Sequence, residues 1–235
     1  MFTGSTVVLT GVGAEGQVGE VVARTFADLG ASTVLVDRTA AKVDARAADI
    51  TRAGRLARAY ACDLTDVNDV EQLVARVSAD HGARVHALIH MAGGFAMSGP
   101  VADSAVDVWQ RMFAINLTTA YLTTRAFLPL VRAARGSIVL FASQAALPGA
   151  DGRNMSAYAA AKCGVAALMR ALAAEERKKG VRVNAVAPAS IRTATNVNAM
   201  GDDTHYVERE QVASAVTFLC SGAASAITGE LLPLS

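Results

Sequence analysis

Aromatic side chains are scarce in this chain of 235 residues: Phe, Tyr and Trp make up 5%, with a single tryptophan, although 52% of residues are apolar. The interior must therefore be filled mostly by Ala, Val, Leu and Ile, a mix that suits a parallel sheet with helices packed closely on both faces. Cysteine is also rare. Cys62, Cys163 and Cys220 are scattered, odd in number and form no CxxC pair, which speaks against a disulfide framework and reads as reduced interior thiols in a cytoplasmic protein. A net charge of +1 gives no electrostatic case for nucleic acid or an anionic membrane. No apolar run reaches the ~18–20 residues of a membrane span. The N-terminus enters a strand pattern directly, without the basic and apolar segments of a secretory signal. His81, His86, His90 and His205 lack metal-ligand spacing and read as surface or strand residues, so no metal site is expected.

What is present is a regular alternation of strand and helix patterns. Thr6–Thr10 is a short β-branched run, followed by the glycine-rich string Gly11-Val12-Gly13-Ala14-Glu15-Gly16-Gln17-Val18-Gly19. Helical spacing then covers Glu20–Leu29, Gly30 stops it, and a second strand at Thr33–Val36 ends in Asp37-Arg38. A strand, a glycine turn, a helix and a strand closed by an acid form the dinucleotide-binding βαβ unit. Its glycines let backbone approach a pyrophosphate, and the helix N-terminus offers free N–H groups and a positive dipole. Asp37 suits the adenosine ribose hydroxyls and favours NAD, whereas Arg38 beside it could accept the extra phosphate of NADP.

The alternation continues to the end of the chain. Helices are expected over Ala40–Ala53, Asp66–Asp80 (capped by Thr65), Ser104–Arg132 (bent or ended by Pro129), Met155–Lys179 and Arg209–Leu219. Strands are expected near Leu56–Cys62, Val85–Ile89, Ser137–Phe141, Val181–Val186 and Glu230–Leu234. No repeat, low-complexity tract or linker interrupts them. The expected fold is α/β, one doubly wound parallel sheet of Rossmann type over residues 1–235, with right-handed crossovers and ligands at the carboxyl ends of the strands.

The helix beginning near Met155 carries Tyr158 and Lys162, four places apart and so on one face. A tyrosine normally ionises near pH ~10. A lysine charge held nearby would favour the phenolate and bring that value toward the working range of an acid–base catalyst. The pair alone is weak, since surface helices often contain it.

Its company is specific. Thr10-Gly11 with the glycine turn, Asp63-Leu64, Ala92-Gly93, Asn116, Gly136-Ser137-Ile138-Val139 leading to Ser143, Tyr158-x-x-x-Lys162, and Val181-Arg182-Val183-Asn184-Ala185-Val186-Ala187-Pro188 leading to Thr193 occur in this order along nearly the whole chain. In these motifs the sequence resembles the short-chain dehydrogenase/reductase family. The resemblance implies hydride transfer between a nicotinamide cofactor, NAD or NADP, and a small alcohol or ketone. It implies Tyr158 as general acid/base, Ser143 as a hydrogen-bond donor to the reacting oxygen, and Lys162 as the residue that lowers the tyrosine's pKa and holds the nicotinamide ribose. Asn116 would help hold a water linking Lys162 to solvent. The cofactor would lie along Gly11, Gly13, Gly16 and Val18, with Asp37 and Arg38 at the adenosine ribose. Asp63 and Leu64 would flank the adenine, Ala92 and Gly93 the adenosine ribose, and Pro188, Ile191 and Thr193 the carboxamide end. Family members usually pair through the long helices around 104–132 and 155–179, so a homo-oligomer, dimer or tetramer, is implied.

The sequence departs from the family pattern in several places. The glycine turn is long. His90-Met91 stands where an asparagine pair is usual, which should weaken a sheet-stabilising contact. Ser143 precedes Tyr158 by more residues than usual, so the Leu147–Asn154 loop must bulge. The substrate-covering loop Ala194–Tyr206 is short, and Phe95-Ala96-Met97-Ser98-Gly99-Pro100 suggests an open, mostly apolar pocket. Two other readings stand beside an alcohol dehydrogenase: a 3-oxoacyl-thioester (acyl carrier protein) reductase, for which no basic patch is found, and a non-catalytic nucleotide-binding sensor or scaffold.

Overall fold

Short β-branched runs that are apolar throughout can only be satisfied if both faces are covered, which is the burial of a parallel strand. The computed structural model, describing residues 1–235, builds seven such strands into one parallel sheet: β1 (Thr6–Thr10), β2 (Ser32–Asp37), β3 (Ala57–Ala61), β4 (Ala87–His90), β5 (Ser137–Phe141), β6 (Arg182–Pro188) and β7 (Leu231–Leu234). Their order is β3-β2-β1-β4-β5-β6-β7. The chain moves outward one way from β1 and then the other way from β4, so the crevice at the carboxyl ends of β1 and β4 is the topological switch point. Thr10 pairs with Val36 on one side and His90 on the other. The loops that follow these strands touch. A Cβ added to Gly11 would lie 2.7 Å from Ala92 N, so only glycine fits there.

Helices cover both faces. α1 (Val18–Asp28), α2 (Ala40–Arg52) and α8 (Arg209–Cys220) pack Phe26, Val43, Ile50, Val212 and Val216 against one face. α3 (Val67–His81), α5 (Thr119–Ala134) and α6 (Ser156–Glu176) pack Leu73, Phe127, Val131, Val165 and Met169 against the other. Each large side chain fully buried here contributes about 1.5–3 kcal/mol.

Several local expectations need correction. Asp66, not Thr65, caps α3: its carboxylate accepts the Asn68 and Asp69 N–H groups, while the Thr65 hydroxyl donates to Asp63. Pro129 does not end its helix, which runs on to Ala134 and stops at Arg135 in the left-handed region (φ 50°). Phe127 and Val131, fully buried on either side of Pro129, hold that segment to the sheet against the proline's lost hydrogen bond. The expected helix over 104–132 is instead α4 (Val106–Phe113), a π-helical turn (Ala114–Thr118) and α5. The segment after Thr193 is not all loop, since it contains α7 (Ala194–Met200). Cys163 is exposed, whereas Cys62 and Cys220 are buried as expected. Finally, the helical stretch Ser156–Lys179 is long and apolar enough to cross a membrane by length and composition. In the fold it is the helix packed on β6, with Val165 and Met169 in the core.

Candidate active site

The Tyr158 helix, α6, packs on β5 and β6, and Lys162 in its second turn reaches the last residue of β5. Lys162 is buried, and its Nζ donates to Phe141 O at 2.8 Å while standing 5.8 Å from the centre of the Tyr158 ring. Burial pulls the Lys162 pKa down to about 8. Tyr158 behaves differently from the sequence expectation. Its pKa is raised, because burial of the phenol disfavours the phenolate; the neighbouring Ser143 hydroxyl offsets part of this. Lysine does not lower it, because the ammonium is aimed at a backbone carbonyl rather than at the phenol oxygen. Ser143 lies just beyond β5, and its Oγ accepts the Ala145 N–H at 3.3 Å. The edge of Phe95 meets the tyrosine ring at 5.0 Å and 85°.

Asn116 lies in the π-helical turn, where the widened backbone lets its side chain reach sideways. Nδ2 donates to Met112 O and Gly94 O, both at 3.0 Å, and Oδ1 accepts the Gly94 N–H at 3.2 Å. A π-turn inside a helix often marks a functional site. Here it lets one buried side chain pin the Gly93–Gly94 loop. A Cβ on Gly93 would come 2.6 Å from Asn116 Oδ1 and 3.5 Å from Lys162 Nζ, so Gly93 marks the point where these two side chains converge.

The glycine turn is shaped by its own carboxylates. Gly13 N–H donates to Asp37 Oδ2 at 2.9 Å, and a Cβ there would strike that carboxyl group at 2.5 Å. Gly16, at φ 69°, donates its N–H to Glu20 Oε2 at 2.6 Å. The N–H groups of Ala14, Glu15, Gln17 and Val18, at or next to the positive end of α1, donate to nothing within the protein. Asp37 also accepts the Thr39 N–H, and Arg38 beside it is exposed. A turn that crowds out side chains yet leaves unpaired donors at a helix N-terminus fits a dinucleotide's pyrophosphate.

The remaining sequence-predicted residues line the same edge. Asp63 receives the Thr65 N–H and hydroxyl, Leu64 is buried, and Ala92 N–H donates to Thr10 Oγ1 at 3.3 Å. Pro188 ends β6, and Ile191 bridges to Val207. Thr193 is buried and caps α7 by accepting the Asn196 N–H.

Three residues carry more than their sequence positions suggested. Gly19 is one: a Cβ there would lie 2.4 Å from Gly11 O, so it lets α1 press against β1, and its place as the last glycine of the turn was the available signal. His90 is the second. Far from weakening the centre of the sheet, it joins three elements. The Thr119 hydroxyl donates to Ile115 O, so it must accept from His90 Nε2 at 3.2 Å; Thr10, which accepts the Ala92 N–H, then donates to His90 Nδ1 at 3.0 Å. The ring is thus fixed as the neutral Nε2–H form. Burial, helped by the Lys162 charge, pulls its pKa down to about 3. The third is Arg209, whose Nη1 donates to Gly16 O; nothing in the local sequence signalled a contact across almost the whole chain.

A doubly wound parallel sheet with a glycine turn at its switch point and a Tyr–Lys helix at the same edge defines a nicotinamide-linked oxidoreductase. A family model described as enoyl-(acyl carrier protein) reductase matches residues 11–234. D-threitol dehydrogenase of Mycolicibacterium smegmatis is 32% identical over 92% of this chain and 86% of its own length. Meso-2,3-butanediol dehydrogenase of Serratia marcescens is 33% identical over 99% and 94%. Among solved structures, an NAD+-bound xylitol dehydrogenase superposes with a TM-score of 0.90 at 26% identity, covering 99% of this chain and 98% of that one. The chain belongs to the short-chain dehydrogenase/reductase family. It is an oxidoreductase that interconverts an alcohol and a ketone with a nicotinamide cofactor.

Proposed function

We propose that the chain is an NAD-preferring dehydrogenase of a small secondary alcohol or ketone with apolar substituents, and that Tyr158 is its proton donor and acceptor. The observation that carries this reading is the convergence of Tyr158, Lys162, Asn116 and Gly93 at the carboxyl edge beside the glycine turn. In ketone reduction the Tyr158 hydroxyl gives its proton to the carbonyl oxygen; in alcohol oxidation the phenolate takes it back. The phenol of Tyr158, its pKa raised by burial, carries its proton at neutral pH, the form that donates in ketone reduction. Ser143 donates to the same oxygen as charge develops on it, and Lys162 holds the nicotinamide ribose. The nicotinamide supplies the hydride chemistry when bound.

Gly11, Gly13, Gly16 and Val18 give the pyrophosphate its close approach, Asp37 takes the ribose hydroxyls, and exposed Arg38 leaves NADP as the weaker cofactor. Asp63, Leu64, Ala92 and Gly93 surround the adenosine, with Pro188, Ile191 and Thr193 at the nicotinamide end. Cofactor and substrate share one domain over 1–235, since one sheet carries both. Phe95, 59% exposed against the Tyr158 ring, and Met97, 56% exposed, give the substrate side an apolar wall. Relatives named for threitol and 2,3-butanediol support a small alcohol as substrate.

Tyr158→Phe tests the reading. Turnover of an alcohol panel should fall by several orders of magnitude while NADH affinity, read by fluorescence, stays near wild type. Retained turnover would exclude the phenol as proton donor, and a wild type that binds NADH tightly without turning over any substrate would favour the sensor or scaffold.

A further inference from the structure

Two acids stand at the place meant for an anion: Glu15 in the long glycine turn and Glu20 in the first turn of α1. Glu20 occupies the Gly16 N–H and faces Arg46 at 3.6 Å, and Glu15 faces Arg46 at 3.8 Å. Arg46 and Arg24 are thus taken up by these carboxylates, and neither is free to meet a bound diphosphate. Arg209, the first residue of α8, stands at the turn. Its Nη1 donates to Gly16 O at 2.8 Å, and the same atom lies 3.9 Å from where a Gly16 Cβ would be. That is the guanidinium's only hydrogen bond within the chain, and its buried Nε has no partner. The acid before it, Glu208, is engaged by Arg192, and Glu20 by Arg24 and Arg46, so no carboxylate neutralises Arg209. A buried, unsatisfied donor on an unpaired cation calls for an unseen partner. The N–H groups of Ala14, Glu15 and Gln17 beside it are unpaired too.

We propose that Arg209 is a cofactor-binding residue: its guanidinium ligates the pyrophosphate of the dinucleotide from the α8 side. The proposal rests on the dinucleotide reading of the glycine turn. Arginine suits the task because its planar fork can keep Gly16 O and still present N–H groups to phosphate oxygens. The turn is also tied to α7 by Gln17 Nε2 donating to Thr195 Oγ1 at 3.3 Å.

The test uses the full chain as wild type, R209Q and R209K, with NADH titrated by fluorescence at several salt concentrations and unfolding of the free proteins followed by circular dichroism. We expect R209Q to bind NADH roughly ten- to a hundred-fold more weakly, the loss of a charge-assisted contact. Its affinity should depend less steeply on salt, R209K should recover part of the loss, and the free variants should unfold near the wild-type temperature. Equal NADH affinity for wild type and R209Q would overturn the assignment. So would a weaker R209Q with an unchanged salt slope and a lowered unfolding temperature, because Arg209 would then only brace the turn. A wild type that binds neither NADH nor NADPH would overturn the dinucleotide reading itself.

Discussion

At the residue scale, placing a charge in this site decides as much as choosing its side chain. Lys162 and His90 are both buried near one another, and burial pushes both toward their neutral forms. The folded His90 pKa, about 3, lies below the ~6.5 of an unfolded histidine, so the unfolded chain takes up the proton first. The stability that neutral His90 contributes is therefore present above pH ~6.5 and is lost as pH falls toward the folded value. His90→Asn should flatten this part of the profile. Thermal melts between neutral pH and about pH 4 should show the wild type losing stability faster than the variant, because His81 and His86 titrate in both and cancel in the comparison. Parallel curves would show that His90 titrates elsewhere. Asp37 makes a second prediction. Its carboxylate braces Gly13 and Thr39, and on the proposed role at the ribose Asp37→Ala should weaken NADH binding and narrow the gap to NADPH. A constant ratio of the two affinities would assign the preference to Arg38 or another residue.

At the element scale, α5 and α6 must hold a fixed relation, because one leads out of the π-turn with Asn116 and the other carries Tyr158 and Lys162. Their far ends are clamped by Glu176, whose side chain is fully buried. Arg132 grips it with Nε and Nη2 at 2.7 and 2.6 Å, and Lys179 adds a contact at 2.9 Å. The Arg132 hydrogen bonds hold the Glu176 carboxyl below the usual carboxylate range, so this clamp is intact above pH ~4.5 and weakens as pH falls. Glu176→Gln keeps the shape and removes the charge. It should destabilise the fold by about 1–3 kcal/mol at neutral pH, less than a wholly buried pair because Arg132 and Lys179 are partly exposed. An unchanged urea midpoint would mean that the clamp contributes nothing. The elements themselves were largely legible. Strand runs and the Tyr158 helix follow from apolar spacing, but the π-turn was not, because Ala114–Thr118 reads as ordinary helix and only the reach of Asn116 to Gly94 requires the extra residue.

At the scale of the whole molecule, the helices around the site leave large apolar side chains outside. Val106, Trp109 and Tyr121 are 69%, 46% and 50% exposed, and Trp109 stacks on Phe113 along α4. Such a face on α4 and α5 fits association with a second copy of the chain. Sedimentation should report a mass above the 24.3 kDa of one chain, and a sharp monomer would refute association.

The sequence by itself determined the parallel sheet, its alternating helices, the glycine turn and the Tyr158–Lys162 pair, because apolar periodicity and helical spacing are local properties of the chain. Only the tertiary structure decided which way each charge leans. The low Lys162 pKa, the raised Tyr158 pKa, the neutral His90 bridge and the unpaired Arg209 all arise from what distant strands and helices leave uncovered or shut away from water. Desolvation belongs to the assembled fold, and no stretch of sequence carries it alone.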